Sequence, residues 1–175
     1  MSARSIFQKA AFRRTIGVLL VMPALLFINA CQEQVKVEHS IEIQASQQAV
    51  YNFVSDLNNE DQWNPWRGAD DTMQITTSEN SQGEGASYSW TSEDSGEGTA
   101  TITKAQSPSR VEMHIDFGDQ GGGDSFMQID PLENGSQVTW GFVTEVPFFM
   151  TGMIEDEVGA KYTEGLQNLK KVLEQ

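Results

Sequence analysis

The sequence predicts an α+β fold in which an antiparallel sheet packs against a long C-terminal helix. Beyond residue 35, most of the chain consists of short segments in which apolar and polar residues alternate, separated by turn residues. This period of two is typical of strands with one buried face. A short helical pattern follows the first such segment, and a long helical pattern closes the chain. The length of 175 residues favours one domain.

Charge and cysteine count exclude several classes of protein. The chain has 11 basic and 25 acidic residues, and its formal charge is −14. Binding to nucleic acid needs a basic surface, so we expect no nucleic-acid partner. The single cysteine excludes an intramolecular disulfide framework and a multi-cysteine metal site. The two histidines are far apart, and we expect neither a metal nor a cofactor.

Residues 1–30 have the pattern of a secretory signal peptide. Basic residues precede an apolar run from Ile16 to Ile28, which is shorter than the about 20 residues of a membrane-spanning helix. The run ends in Ile28-Asn29-Ala30-Cys31, which resembles the lipobox of bacterial lipoproteins, where diacylglycerol is attached to the cysteine. A free thiol after a simple signal peptide, or beside an uncleaved anchor, is the alternative.

This resemblance implies an exported protein, anchored in the cell envelope through lipid on Cys31. The expected division is a signal peptide over 1–30, a tether over 31–34 and a domain over 35–175. Beyond residue 30, 7 basic and 25 acidic residues leave a charge of 7 − 25 = −18. Such a surface is repelled by anionic lipids, so the anchor would hold the protein at the membrane. By its resemblance to lipoprotein sorting signals, Gln32 after the cysteine implies the periplasmic side of the outer membrane in a source with two membranes.

The elements of the domain follow in order. Residues 35–43 alternate as a half-buried strand, and Ser46 is placed to cap a helix. That helix has apolar residues at i, i+3, i+4 and i+7, namely Val50, Phe53, Val54 and Leu57. Six further strands are predicted at 73–77, 86–90, 100–102, 111–117, 126–129 and 138–142. Asn134-Gly135 is the strongest hairpin signal between them. The terminal helix extends over about 151–173, and its glycines permit close approach to a sheet or bending.

Several segments together resemble the SRPBCC superfamily, which includes START domains, the Bet v 1 allergen and the polyketide cyclase/dehydrase-like proteins. The matching residues are Ile41-Glu42-Ile43, 50–56, 63–66, 83–90, 138–140 and 165–170. The resemblance covers nearly all of residues 36–173. It implies a helix-grip fold, in which a curved sheet surrounds the long C-terminal helix and leaves an apolar ligand cavity. Members of the superfamily bind lipids, sterols, polyketides or hormones, and only some catalyse reactions, so the fold alone does not give the function.

Aromatic and methionine side chains are the candidate ligand-binding residues. Methionine adapts to irregular apolar surfaces, and tryptophan and tyrosine combine an apolar ring with one polar atom. The candidates are Trp63, Trp66, Tyr88, Trp90, Met113, Phe126, Trp140, Phe142 and Met153. The alternative is that half or more of them are ordinary core. The mouth is expected near Met153, at the beginning of the terminal helix.

No catalytic residue is predicted. Alternation places His114 on an exposed strand face, and His39 either points into the cavity or is tolerated near the strand centre. No nucleophile elbow is present, and Glu155-Asp156-Glu157 is explained by the preference of acids for a helix's first turns.

Three hypotheses follow from these patterns. The first is a lipid-anchored envelope protein that binds a small hydrophobic or amphipathic ligand. The second is a cyclase-like enzyme that acts by confinement in the same cavity. The third is an envelope interaction module with a filled core. The sequence leaves the ligand and the oligomeric state open.

Overall fold

A computed structural model describes residues 32–67 and 71–175. The predicted signal peptide and Cys31 lie outside the described residues. One sheet contains seven strands, β1 (Gln32–Ile43), β2 (Gln74–Thr77), β3 (Ser87–Ser92), β4 (Gly96–Gln106), β5 (Arg110–Asp116), β6 (Gly122–Leu132) and β7 (Gly135–Pro147). The α-helices are α1 (Gln47–Val54) and α2 (Thr151–Leu173), and 3₁₀ turns cover Leu57–Gln62, Gly118–Gln120 and Phe148–Met150.

The sheet is antiparallel throughout, with the strand order β1-β7-β6-β5-β4-β3-β2. It is curved, and α2 packs against it in the helix-grip arrangement. The predicted fold class is therefore confirmed. Within the described ranges, no helix is both long and apolar enough to cross a membrane.

The first strand begins earlier than the alternation predicted. Gln32, Glu33 and Gln34 pair with residues 145–147 at the end of β7. Their backbone groups are thus satisfied by a strand far away in sequence, a contact that local patterning does not reveal. Residues 32–34, which were expected within a tether, are therefore part of β1.

The short helix begins as predicted but ends sooner. The Ser46 hydroxyl accepts a hydrogen bond from the Ala49 N–H at 3.2 Å, which caps α1. The helix stops at Val54, and Leu57 begins a 3₁₀ turn instead of extending the helical stripe. There the Asp56 carboxylate accepts from the Asn58 N–H at 3.1 Å. This turn directs residues 63–67 beneath α2.

Glycines on α2 allow the helix to lie close to the sheet. A Cβ at Gly165 would come within 2.6 Å of the Trp140 ring, and one at Gly159 would lie 3.0 Å from the His39 ring. Tyr162 and Leu169 on the same face are fully buried. The terminal helix therefore packs on the sheet through this face, and of the two roles expected for its glycines, close approach is the role of these two.

Candidate ligand cavity

A cavity of about 540 Å³ lies between α2 and the concave face of the sheet. This volume falls in the range of about 300–1,000 Å³ that is usual for small-molecule sites. Its wall is largely apolar, and two groups of polar side chains interrupt it. The wall is formed by the 3₁₀ turn and connector over 57–67, by β2, β3, β5, β6 and β7, and by the first half of α2.

Strand register explains why these side chains meet. Met113 of β5 is opposite Ser125 of β6, and Ser125 is opposite Phe142 of β7. Side chains directly opposite one another in adjacent strands point to the same face of a sheet. This row therefore crosses three strands on the face toward α2. A second row, Val111, Met127 and Trp140, runs beside it.

Four aromatic rings form one wall of the cavity. Trp140 and Tyr162 stack with ring centroids 4.0 Å apart and planes 10° from parallel. Trp63 meets Trp140 edge-on at 4.9 Å, and Trp66 meets both Trp140 and Tyr162 edge-on at 5.7 and 5.6 Å. Such contacts add about 0.5–1.5 kcal/mol per pair to the burial of the rings. The wall is therefore a rigid aromatic surface.

Ser125 connects the polar atoms of this wall. The Trp140 Nε1–H donates to Ser125 Oγ at 3.0 Å, and that hydroxyl donates to the carbonyl of Gly141 at 3.1 Å. The Tyr162 hydroxyl lies 3.3 Å from Ser125 Oγ. Burial raises the pKa of Tyr162 well above its usual range. The phenol therefore stays protonated and neutral near neutral pH.

The second polar group is a buried ion pair. Arg67 Nε donates to Glu60 Oε2 at 3.0 Å, and both side chains are only 5 % exposed. Asn64 Nδ2 also donates to Glu60 Oε2 at 3.2 Å, and Arg67 Nη2 donates to the carbonyl of Leu57 at 3.2 Å. These bonds offset the desolvation of two buried charges.

Tyr88 joins the ion pair to the sheet. The Arg67 guanidinium carbon lies 3.9 Å from the centre of the Tyr88 ring, a cation–π contact. Burial, opposed by the charge of Arg67, raises the pKa of Glu60 above its ordinary value. Burial and the neighbouring Glu60 raise the pKa of Tyr88 well above its usual range. The cluster therefore presents a neutral phenol and a charge-balanced pair to the cavity.

Trp63 supplies a hydrogen-bond donor that has no partner among the described residues. Its side chain lines the cavity and is 4 % exposed, and its Nε1–H is buried without an acceptor in that part of the chain. An unsatisfied buried donor costs about 1–3 kcal/mol. An acceptor atom supplied by a bound molecule is one way to recover that free energy.

The cavity opens at one end of the sheet. Its exposed wall residues are Ser95 in the β3–β4 turn, Gln120 in the β5–β6 loop and Glu157 in the first half of α2. Antiparallel pairing places the β3–β4 turn and the β5–β6 loop at the same end as the start of β1 and the end of β7. We call this end the mouth end.

Seven of the nine predicted ligand-binding residues line the cavity from the inner face. They are Trp63, Trp66, Tyr88, Trp90, Met113, Trp140 and Phe142. The ring of Phe126 lies on the outer face of the sheet, where it covers Gly141 and its centre is 4.2 Å from the Arg110 guanidinium carbon. Met153 lies outside the cavity wall and is 53 % exposed.

Sequence reasoning missed the polar residues Glu60, Asn64, Arg67 and Ser125 as cavity residues, and it also missed Tyr162, which was expected only as part of the terminal helix. Arg67 could have been identified from its position, because it is a charged residue directly after the aromatic connector 63–66.

Neither histidine lines the inner cavity. His39 Nδ1 lies 3.0 Å from Thr163 Oγ1, and His114 Nδ1 lies 2.7 Å from an Asp124 oxygen on the outer face. In the described part of the chain, no group of three His, Cys, Asp or Glu residues is placed to bind a metal.

A groove of about 800 Å³ on the outer face is larger but more open. Its charged side chains already pair with one another, as Arg110 does with Glu112 at 2.7 Å. The inner cavity, which is less open and has an apolar wall and a buried indole donor, is therefore the better candidate site.

Comparisons with known proteins agree with this architecture. The family model described as polyketide cyclase / dehydrase and lipid transport matches residues 34–174. No curated protein sequence matched the chain. A Staphylococcus aureus protein of unknown function superposes with a TM-score of 0.66 at 15 % identity, covering 83 % of this chain and 97 % of its own.

Two further solved structures share the fold. Truncated norcoclaurine synthase from Thalictrum flavum gives a TM-score of 0.61 at 12 % identity and covers 82 % of this chain and 96 % of its own. The Aha1 dimer from Colwellia psychrerythraea gives 0.60 at 19 % identity, with coverages of 80 % and 96 %. At these identities the similarity shows the fold alone.

Proposed function

Because the chain belongs to the polyketide cyclase / dehydrase and lipid transport family, we propose that it binds a small hydrophobic or amphipathic molecule in the cavity. We propose further that lipid on Cys31 anchors it in the cell envelope, on the periplasmic side of the outer membrane in a source with two membranes. The observation that supports binding most strongly is the largely apolar cavity of about 540 Å³ between α2 and the sheet. The observation that supports anchoring is the lipobox-like ending at the only cysteine.

The polar groups of the cavity favour an uncharged ligand. Arg67 is already neutralised by Glu60, and the phenols of Tyr88 and Tyr162 are neutral. A charged ligand at the inner wall would lose its hydration without gaining a free countercharge, since Glu157 is at the exposed mouth and Lys161 pairs with Glu164. The Trp63 Nε1–H favours a molecule with one hydrogen-bond acceptor. The stacked rings of Trp140 and Tyr162 favour a flat apolar body.

An enzyme of the cyclase type is the second candidate. Burial raises the pKa of Glu60, and a buried carboxyl group at a cavity wall is suited to proton transfer. Arg67 and Asn64 both bind the same carboxylate oxygen, which favours a positioning role over catalysis. Binding without chemistry is therefore our first choice. An interaction module with a filled core fits less well, because the interior encloses a cavity.

Filling the cavity tests the proposal. Met113 and His114 are neighbours on β5, but Met113 faces the cavity and His114 is on the outer face. We expect Met113→Trp to lower the affinity for the uncharged probe N-phenyl-1-naphthylamine at least tenfold, because the larger side chain occupies ligand volume. His114→Trp is the matched control and should leave the affinity unchanged. Fluorescence titration measures both, and thermal unfolding verifies that each variant is folded. Equal affinity in the two variants would remove the cavity as the binding site.

A further inference from the structure

We infer that the mouth end of the domain rests on a lipid bilayer through Phe148, Phe149 and Met153, so that the cavity opens toward the membrane. The inference rests on the proposed function, since it requires both the anchor at Cys31 and a ligand-binding cavity. It adds the orientation of the domain and the source of the ligand, which would enter from the bilayer.

Exposed apolar side chains are concentrated at this end. Phe148 is 61 % exposed, Phe149 71 % and Met153 53 %. The two phenylalanine rings meet edge-on at 5.8 Å and form one surface. Among the described residues, the fourth large exposed apolar side chain is Leu132, at the opposite end of β6 and β7. A cluster of this kind marks an interaction surface, whereas a single exposed apolar residue does not.

Strand pairing places the anchor beside this surface. Gln32 is paired with Pro147, and Phe148 follows Pro147 directly. Paired strands lie about 4.8 Å apart. Cys31 is joined to Gln32 by one peptide bond. Because Gln32 belongs to β1, a lipidated Cys31 would directly adjoin a residue of the sheet. An acyl chain on Cys31 would therefore enter the bilayer next to Phe148 and Phe149.

The cavity opens on the same side. Ser95 and Gln120 belong to loops at the mouth end, and Val158 and Lys161 line the cavity from the first half of α2. Met153 lies between Phe149 and these residues in sequence, at the beginning of the helix. The anchor, the apolar surface and the opening thus share one end of the domain. A membrane at this end would meet all three.

The charge of the protein determines how such docking works. The segment 155–157 is acidic, and the chain beyond residue 30 has a formal charge of 7 − 25 = −18. Electrostatic attraction to phosphate groups is therefore excluded as the driving force. Two phenylalanines and a methionine bind a bilayer weakly by themselves, but the lipid anchor keeps them at a high effective concentration near its surface.

The test uses the full chain, purified from bacterial membranes and reconstituted into phosphatidylcholine vesicles. Lipidation consumes the Cys31 thiol, so Phe149→Cys provides the only free thiol for an environment-sensitive fluorophore. Leu132→Cys is the matched control, since the 13 residues of β7 place it up to roughly 40 Å away at about 3.4 Å per residue. We expect nitroxide-labelled lipid to quench the probe at 149 at least threefold more than the probe at 132. Equal quenching at both positions would overturn the inference.

Two further readouts separate the alternatives. Mass spectrometry of the purified chain shows whether Cys31 has diacylglycerol. A chain without diacylglycerol on Cys31 would overturn the anchoring and the docking together. A lipidated chain in which the probes at 149 and 132 are quenched equally would overturn only the docking. Fluorescence emission from the probe at 149 that is already blue-shifted without vesicles would also overturn the docking, because protein would then cover this surface. If that shift grows with protein concentration, a second copy covers the surface. If it does not, a segment of the same chain does.

Discussion

Glu60 and Arg67 form an ion pair that holds the 3₁₀ turn and the aromatic connector together at the cavity wall. Their side chains lie seven residues apart in a segment without regular α-helix or strand. The bond from Arg67 Nη2 to the carbonyl of Leu57 closes the same segment. The pair therefore acts first as a support for Trp63, Trp66 and Tyr88.

The raised pKa of Glu60 predicts how the free energy of unfolding depends on pH. Burial raises it above the ordinary value of 4.5, so the folded state binds the proton more tightly than the unfolded state. The resulting contribution to stability is fully present below pH 4.5 and is lost as the pH rises through the folded pKa. Glu60→Gln removes this titration. We expect the free energy of unfolding of the wild type, minus that of Glu60→Gln, to fall as the pH rises above 4.5 in urea denaturation.

Glu174 provides a control, because its pKa is shifted in the opposite direction from that of Glu60. The Gln44 N–H donates to Glu174 Oε1 at 2.7 Å and lowers the pKa of that carboxyl group. Its stabilising effect is present above pH 4.5 and is lost as the pH falls through the folded pKa. The free energy of unfolding of the wild type, minus that of Glu174→Gln, should therefore rise with pH. The contrary result is a wild-type-minus-Glu60→Gln difference in unfolding free energy that also rises with pH. It would mean that the charge of Arg67 lowers the pKa of Glu60 by more than burial raises it.

At the scale of elements, periodicity predicted most of the architecture. The terminal helix was expected over about 151–173, and α2 covers Thr151–Leu173. Strands were placed correctly but several were predicted too short, because their ends are satisfied by pairing with strands distant in sequence. β6 extends over Gly122–Leu132, although only 126–129 alternates clearly. The 3₁₀ turn over Leu57–Gln62 has no comparable period and was not predicted.

The packing of α2 on the sheet can be measured at Leu169. This side chain is fully buried on the helix face toward the core. Leu169→Ala should lower the free energy of unfolding by about 2–5 kcal/mol, as other large-to-small core substitutions do. Lys171→Ala, two residues further on the exposed face, should change it by less than about 0.5 kcal/mol. Equal effects in chemical denaturation would contradict the assigned helix face.

At the scale of the whole molecule, the sequence predicted the cavity's aromatic residues better than its polar ones. Trp140 and Tyr88 were identifiable as large side chains on alternating strands. Ser125 was not, because its role depends on Trp140 and Tyr162 arriving from two other elements. The volume of the cavity also depends on how far glycines such as Gly165 let α2 approach the sheet. The distance between α2 and the sheet cannot be predicted from a local sequence pattern.

The orientation of the domain is likewise a property of the assembled fold. The start of β1 and the exposed Phe148 and Phe149 are more than a hundred residues apart in sequence, and pairing with β7 brings them to one end. If this end faces the membrane, the ligand reaches the cavity without crossing water. Anchoring, docking and binding then form one arrangement.

Native mass spectrometry of the full chain isolated from the membranes of its source tests the central claim most directly. We expect an uncharged small molecule, of a size that fits about 540 Å³, to accompany the wild-type protein and to be absent from Met113→Trp. Extraction then identifies that molecule. A wild-type protein without a bound molecule, or a molecule retained equally by Met113→Trp, would contradict the claim that the cavity is a ligand site.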